Sequence, residues 1–295
     1  MLSQLLSSVA DGIVVAAILA VAAMGFTLQF GLTNVLNLSF GAVMTVGGFT
    51  AYLVSVAGLS AWLGLLLGGA AGAIATILLG RGVLRLYARR RTQLFEMMMV
   101  TLGMSLVIDY TLQAVSQNAI YGYTVLQGKP VVIGPIDVTP IQVAIVGMAV
   151  LILVVAEAAL KFTKVGKALR ATAVEPSLAR SCGIHTSRVV LVTWAISGFL
   201  CGLAGVIYII STQSVDYSTG ELFLPLIIAA AILGGVGSLR GAVGAAVVMG
   251  VVTEVVAGFG GSAYSTVAGF AILVVVLLLR PGSVVGGAED RQLVL

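Results

Sequence analysis

The chain alternates long uncharged apolar runs with short polar turns. Nine runs stand out: residues 9–30, 36–57, 61–80, 97–116, 139–160, 189–212, 222–237, 241–258 and 263–280. Most hold about twenty residues, the length a helix needs to cross about 30 Å of hydrocarbon. Only helices and closed barrels satisfy their own backbone in lipid. Barrel strands alternate polar and apolar residues, whereas these runs are continuous, so helices are predicted. Two runs are irregular. Run 222–237 spans roughly 24 Å as a straight helix and closes on Gly234-Gly235-Val236-Gly237-Ser238, which breaks or unwinds a helix. Run 36–57 opens on a polar cluster. Broken or re-entrant helices fit both. The expected fold is an all-α polytopic membrane bundle with eight or nine transmembrane segments. No internal repeat is evident.

Charge sets the direction of each run. Thirteen of the fifteen Lys and Arg residues fall in three stretches. The first holds Arg81, Arg85, Arg89, Arg90 and Arg91. The second holds Lys161, Lys164, Lys167, Arg170, Arg180 and Arg188, and the tail holds Arg280 and Arg291. Only Lys129 and Arg240 lie elsewhere. Lys and Arg beside a membrane segment resist translocation, so these clusters mark the cytoplasmic side. Nine crossings then place the N-terminus outside and the C-terminus inside. The 117–138 loop, Asp216 and Glu221 are expected outside, and Arg240 inside.

Composition excludes other classes. The chain is 60% hydrophobic and 9% charged, with a mean hydropathy of +1.16. A soluble fold of 295 residues cannot cover its surface from such a supply. The net charge of +4 resides in the membrane-flanking loops, so no nucleic-acid partner is implied. The first run has no basic residue before it and suits a retained span rather than a signal peptide. Cys182 and Cys201 match no disulfide framework or metal spacing and read as free thiols. His185 is the sole histidine, which excludes paired-histidine metal sites. Neither a GxxxxGK[ST] phosphate loop nor a GxSxG nucleophile elbow is present. No catalytic residue, metal or cofactor is expected.

The informative polar residues lie inside apolar runs. Asp109 and Glu254 are deep carboxylates, each costing about 2.5–3.5 kcal/mol on insertion scales. Either they line a substrate or ion path, or they make structural polar contacts. Asn34, Asn37 and Ser39, before Gly41, form a second polar group. It can serve a discontinuous helix that exposes backbone to a small solute, or be a loop with turn and cap residues. Glu157 stands four residues before Lys161, as in a helix-surface ion pair. The spacings Gly64/Gly68/Gly72, Gly198/Gly202 and Gly237/Gly241 allow close helix crossings. In the second basic loop, residues 161–188, Glu175-Pro176 opens a short helix and Gly183 closes it. Leu178, Ala179 and Cys182 lie on one face of that helix. It can dock into a groove of a soluble partner or rest on lipid.

Three motifs together resemble the permease subunits of branched-chain amino acid ABC importers. They are Gly31 to Tyr52, the loop Arg170-Ala-Thr-Ala-Val-Glu-Pro-Ser-Leu-Ala-Arg-Ser-Cys-Gly-Ile184, and Ala231-Ile-Leu-Gly-Gly-Val-Gly-Ser-Leu-Arg-Gly-Ala-Val-Gly244. The resemblance implies one transmembrane permease domain over residues 1–295, in a bacterial inner or plasma membrane. It implies partners: ABC ATPase subunits, a similar sister permease and an extracytoplasmic solute-binding protein. Arg170, Glu175, Pro176, Ala179 and Gly183 would belong to the ATPase-coupling loop. Gly234, Gly235, Gly237 and Gly241 would form a late glycine-rich break. The sequence departs from many relatives at Ser39-Phe40, which leaves urea or short amides open beside amino acids. Two other classes compete. An ion-gradient-driven secondary transporter would work through Asp109 and Glu254, and a membrane scaffold would move nothing.

Overall fold

The computed structural model describes residues 2–84, 94–123, 131–133, 136–235, 237–261 and 263–279. Among them the architecture is helical: α1 (Leu2–Thr33), α2 (Phe40–Val56), α3 (Ala61–Leu78), α4 (Leu94–Ser116), α5 (Pro140–Phe162), α6 (Lys164–Val174), α7 (Pro176–Ser181), α8 (Thr186–Thr212), α9 (Thr219–Leu233), α10 (Leu239–Gly260) and α11 (Ala263–Leu279). A π-helical stretch, Leu79–Leu84, prolongs α3. The strands are short. β1 (Tyr121–Gly122) pairs antiparallel with β4 (Ser214–Val215), and β2 (Val131–Ile133) with β3 (Ile136–Val138). Arg85, Arg89, Arg90, Arg91, Lys129, Arg280 and Arg291 lie outside the described residues.

Every apolar run contains one helix. Among the described residues, six helical stretches are long and apolar enough to cross a membrane: those of α1, α3, α4, α5, α8 and α10. Helices α2 and α9 are apolar but shorter, at 17 and 15 residues. Helix α9 begins at Thr219, three residues earlier than expected, and stops at Leu233, where Gly234 forms the cap.

The core is built on bare backbone. Helices α3 and α8 cross antiparallel where Gly72 meets Gly198 and Gly202. A methyl group there would collide with main chain, so both chains need glycine to approach. Thr76 seals the crossing by donating its hydroxyl to the Trp194 carbonyl at 2.8 Å. Helix α1 runs antiparallel to α10, with Gly12 against Val251 and Gly31 against Gly237. The predicted glycine spacings at 64/68/72 and 198/202 do mark contacts, whereas Gly241 meets Gly234 rather than acting with Gly237.

The structure contains a repeat that the sequence does not display. Helices α1–α3 and α8–α10 are arranged alike: α1 lies on α10 as α8 lies on α3, and α9 packs on α1 as α2 packs on α8. Helix α4 packs on α2 as α11 packs on α9. The junctions match at an offset of 179 positions. Thr33 and Thr212 end their helices, and Asn34 and Gln213 both follow with φ of 52°. Ser39 and Ser218 precede the next helix, and each donates its hydroxyl to the side chain two residues back, Asn37 and Asp216. Helices α1 and α8 run in opposite senses, so the two halves are inverted.

The two ends of the bundle differ in charge. One end gathers Gly80 against Trp194, Gly31 against Gly237, and the α6–α7 loop. Every described Lys and Arg belongs to this end: Arg81, Lys161, Lys164, Lys167, Arg170, Arg180, Arg188 and Arg240. The other end carries the β1–β4 pair, the stacked rings of Tyr52 and Tyr121, and an Asp11–Gln142 hydrogen bond of 2.8 Å.

Candidate functional site

The 34–41 junction folds back into the bundle. Asn34 is exposed and its amide donates to the Phe30 carbonyl at 2.8 Å, so it serves as a turn and cap residue. Asn37 is buried, and its Oδ1 accepts from the amide (3.1 Å) and hydroxyl (2.6 Å) of Ser39. The Asn37 Nδ2 has no hydrogen-bond partner among the described residues. Ser39 is fully buried. The Leu38 amide donates to Thr101 Oγ1 on α4 at 3.1 Å. The Phe40 carbonyl accepts from the Cys201 thiol at 3.0 Å, so α2 starts about halfway along α8.

At that depth Gly41 meets Gly220. Each is the second residue of its helix, and a side-chain carbon on either would strike the other's carbonyl. Thr45 ties the pair. Its hydroxyl donates to the Gly41 carbonyl (3.3 Å) and accepts from the Gly220 amide (2.9 Å). Two helix N-termini thus abut inside the bundle.

The deep carboxylates do not meet each other. Asp109, on α4, is buried. Ser105 donates to its Oδ2 at 3.1 Å, and Oδ1 has no partner among the described residues. The charge near it belongs to Glu221, at the start of α9. Glu254, on α10, is partly buried and lies instead within electrostatic reach of Asp11 on α1. Sequence reasoning placed Glu221 in an outer loop and did not single out Asp11, Gln29 or Ser197. The last two form a buried hydrogen bond of 3.0 Å. An apolar run holding a lone polar residue, as around Gln29, was the available signal.

Glu157 pairs with Arg240 rather than Lys161. The Arg240 guanidinium reaches Glu157 Oε1 at 2.6 Å. Both side chains stand at the basic end, and the tertiary partner displaces the local one. Cys182 is exposed and Cys201 buried, and both are free thiols. Exposed His185 stands at the N-cap position just before α8.

The basic loop forms two short helices, α6 and α7. Thr163 caps α6 by accepting from the Gly166 amide. Arg170 turns back and donates to the carbonyls of Leu160 (2.6 Å) and Lys161 (3.4 Å), the last turn of α5. Glu175 caps α7, its Oε1 accepting from the Ser177 amide (3.2 Å) and hydroxyl (2.6 Å). These bonds stabilise the anion and hold the Glu175 carboxyl below its ordinary pKa. Pro176 occupies the first turn, where its missing N–H costs nothing. Gly183, at φ +83°, closes the helix, and the Ile184 amide returns to the Ala179 carbonyl at 3.0 Å. Ala179 itself is buried against the chain, so it anchors α7, while Leu178 and Val174 point out. In the glycine-rich break, Gly234 packs on Gly241, and Gly235 and Gly237 have φ of 89° and 85°.

The chain is similar to known proteins along most of its length. A family model described as branched-chain amino acid transport system, permease component, matches residues 8–278. The high-affinity branched-chain amino acid transport system permease protein LivH of Escherichia coli is 24% identical over 96% of both chains. The probable branched-chain amino acid transport permease protein LivH of Methanocaldococcus jannaschii is 29% identical, over 91% of this chain and 89% of its own. Among solved structures, PsaBC from Streptococcus pneumoniae in complex with Fab aligns at a TM-score of 0.53 and 14% identity. That alignment covers 92% of this chain and 91% of the other, and is a likeness of fold.

Proposed function

This chain belongs to the permease family of branched-chain amino acid transport systems, and from that premise we propose that it is the membrane-spanning subunit of an ATP-driven importer of branched-chain or other small amino acids. The observation that carries this reading is the unbroken family match across nearly the whole helical bundle. It is a multi-pass membrane protein that moves its solute without chemistry of its own, and ATP hydrolysis belongs to a separate subunit. A solute-binding protein delivers the ligand at the end bearing β1 and β4. A similar sister permease completes the path, and ATPase subunits dock on the basic end.

Nine crossings with the N-terminus outside fit the segregation of Lys and Arg to one end. Helices α2 and α9 are short, and their abutting starts supply the broken backbone that transporters place at mid-depth. The exposed residues of α6 and α7 are the coupling surface, with Glu175, Pro176 and Gly183 shaping it and Arg170 fastening it to α5. Asn37, Ser39, Gly41 and Asp109 line or support the path. Glu254 stands apart from them, near Asp11, so Asp109 and Glu254 do not form a joint relay.

Reconstitution tests this. Proteoliposomes holding the chain, its sister permease and ATPases should take up leucine only with ATP and a loaded binding protein. Uptake by the chain alone, driven by a proton or sodium gradient, would overturn the reading. Uptake of urea or a short amide in place of leucine would keep the architecture and change the solute.

A further inference from the structure

Glu221 sits where a carboxylate is costly. It follows Gly220, which rests on Gly41 at the start of α2. The neighbouring Phe40 carbonyl meets Cys201, near the middle of the 27-residue α8. Glu221 is therefore near half-depth of the bundle, yet it is exposed on the chain's surface, as is Leu222 at 70%. Facing lipid there, it would cost about 2.5–3.5 kcal/mol. Among the described residues no Lys, Arg or His pairs with it. The start of α9 favours its negative charge, since Glu221 lies in the first turn of that helix, and with no cationic side chain over it an exposed carboxylate at that depth suits a wet path.

A second, independent feature lies beside it. Asp109 is only 5% exposed, and its Oδ1 has no hydrogen-bond partner among the described residues. Ser105 fixes the other oxygen. Helix α4, which carries Asp109, packs on α2, whose first turn carries the α9 start, and the Glu221 charge reaches Asp109. A buried acceptor with an unmet demand beside an exposed acid calls for a cation. A metal ion would require more oxygen ligands, and no group of three acidic, His or Cys residues gathers among the described residues. An organic ammonium offers three N–H donors and one charge, which two carboxylates can share.

We propose that Glu221, backed by Asp109, recognises the ammonium group of the transported amino acid midway through the membrane. This rests on the importer reading above. Glu221 makes the contact, and Asp109 deepens the negative potential at that point.

The assembled complex, with sister permease, ATPases and loaded binding protein in proteoliposomes, provides the test, with radiolabelled leucine as probe. Glu221→Gln should lower leucine moved per ATP by about tenfold, the equivalent of one charge-assisted hydrogen bond. Binding-protein-stimulated ATP hydrolysis, measured in the same vesicles, supplies the denominator of that ratio. Glu221→Asp should retain most transport, and Asp109→Asn should lose less than Glu221→Gln. A wild-type leucine-to-ATP ratio in Glu221→Gln overturns the proposal. So does loss of the complex on size exclusion, which would make Glu221 an assembly contact. Failure of the wild-type complex to import leucine with ATP is a different result and sinks the importer reading itself.

Discussion

Gly41 and Gly220 rest backbone on backbone, each as the second residue of its helix and 179 positions apart in the chain. Two positive helix ends meet there, an arrangement that helix dipoles disfavour. The Thr45 hydroxyl satisfies one of the orphan amides by accepting from Gly220 while donating to the Gly41 carbonyl, and Glu221 sets a negative charge in the first turn of α9. The contact requires glycine on both sides.

Gly220→Val should therefore destabilise the chain by about 1–3 kcal/mol or more, since overpacking here strikes main chain. Gly103→Ala is the control, because nothing lies within 4 Å of the added carbon. Thermal unfolding in detergent should show a clear drop for the first and little change for the second.

Thr45→Val removes the acceptor of the Gly220 amide and keeps the shape. A buried donor left unpaired costs about 1–3 kcal/mol. Thr45→Ser should recover most of that loss in the same melt.

The thiols report orientation without mutagenesis. Cys182 is exposed in the basic loop and Cys201 is buried. An impermeant maleimide should leave intact cells unlabelled and label inverted vesicles at Cys182. Labelling from the exterior would reverse the proposed topology.

The proposed coupling role of the 161–188 loop makes a functional prediction. Gly183→Arg forces a side chain into φ +83°, and Glu175→Lys removes the α7 cap. Both variants should insert normally and lose ATP-driven uptake. The Glu175 carboxyl is held below its ordinary pKa. Its stabilising contribution is thus fully present above the unfolded value and fades as pH falls through the lower, folded one. Coupling should not vary with this group near neutral pH. Wild-type uptake by both variants would remove the loop from the mechanism.

The Glu157–Arg240 pair is the weak link by comparison. Its side chains are 43% and 77% exposed, so water screens the attraction. A double-mutant cycle on stability should return less than about 1 kcal/mol.

Much of this was readable in the chain. Continuous apolar runs announced nine helices, because length and uninterrupted hydrophobicity are all a lipid-embedded helix needs. Glu175-Pro176 and Gly183 announced α7, because caps are local chemistry. What escaped was tertiary. The 179-position repeat joins Asn34 to Gln213 and Asn37 to Asp216, residues alike in backbone conformation and hydrogen bonding rather than identity. Glu221 looked like a loop residue because hydropathy does not register a chain that turns back into the bundle before its helix begins. Lys161 lost Glu157 to Arg240 because a nearby sequence partner carries no knowledge of α10. Ala179 appeared surface-bound and proved to be the inward anchor of its helix.

Arg170 grips the final carbonyls of α5. If a partner pushes on the loop from below, as the proposed function requires, that guanidinium clasp would pass the push into α5 rather than leave it as slack. In the proposed importer the loop would act as a crank welded to its shaft, and the stiffness of that weld would set how much of each ATPase stroke reached the solute.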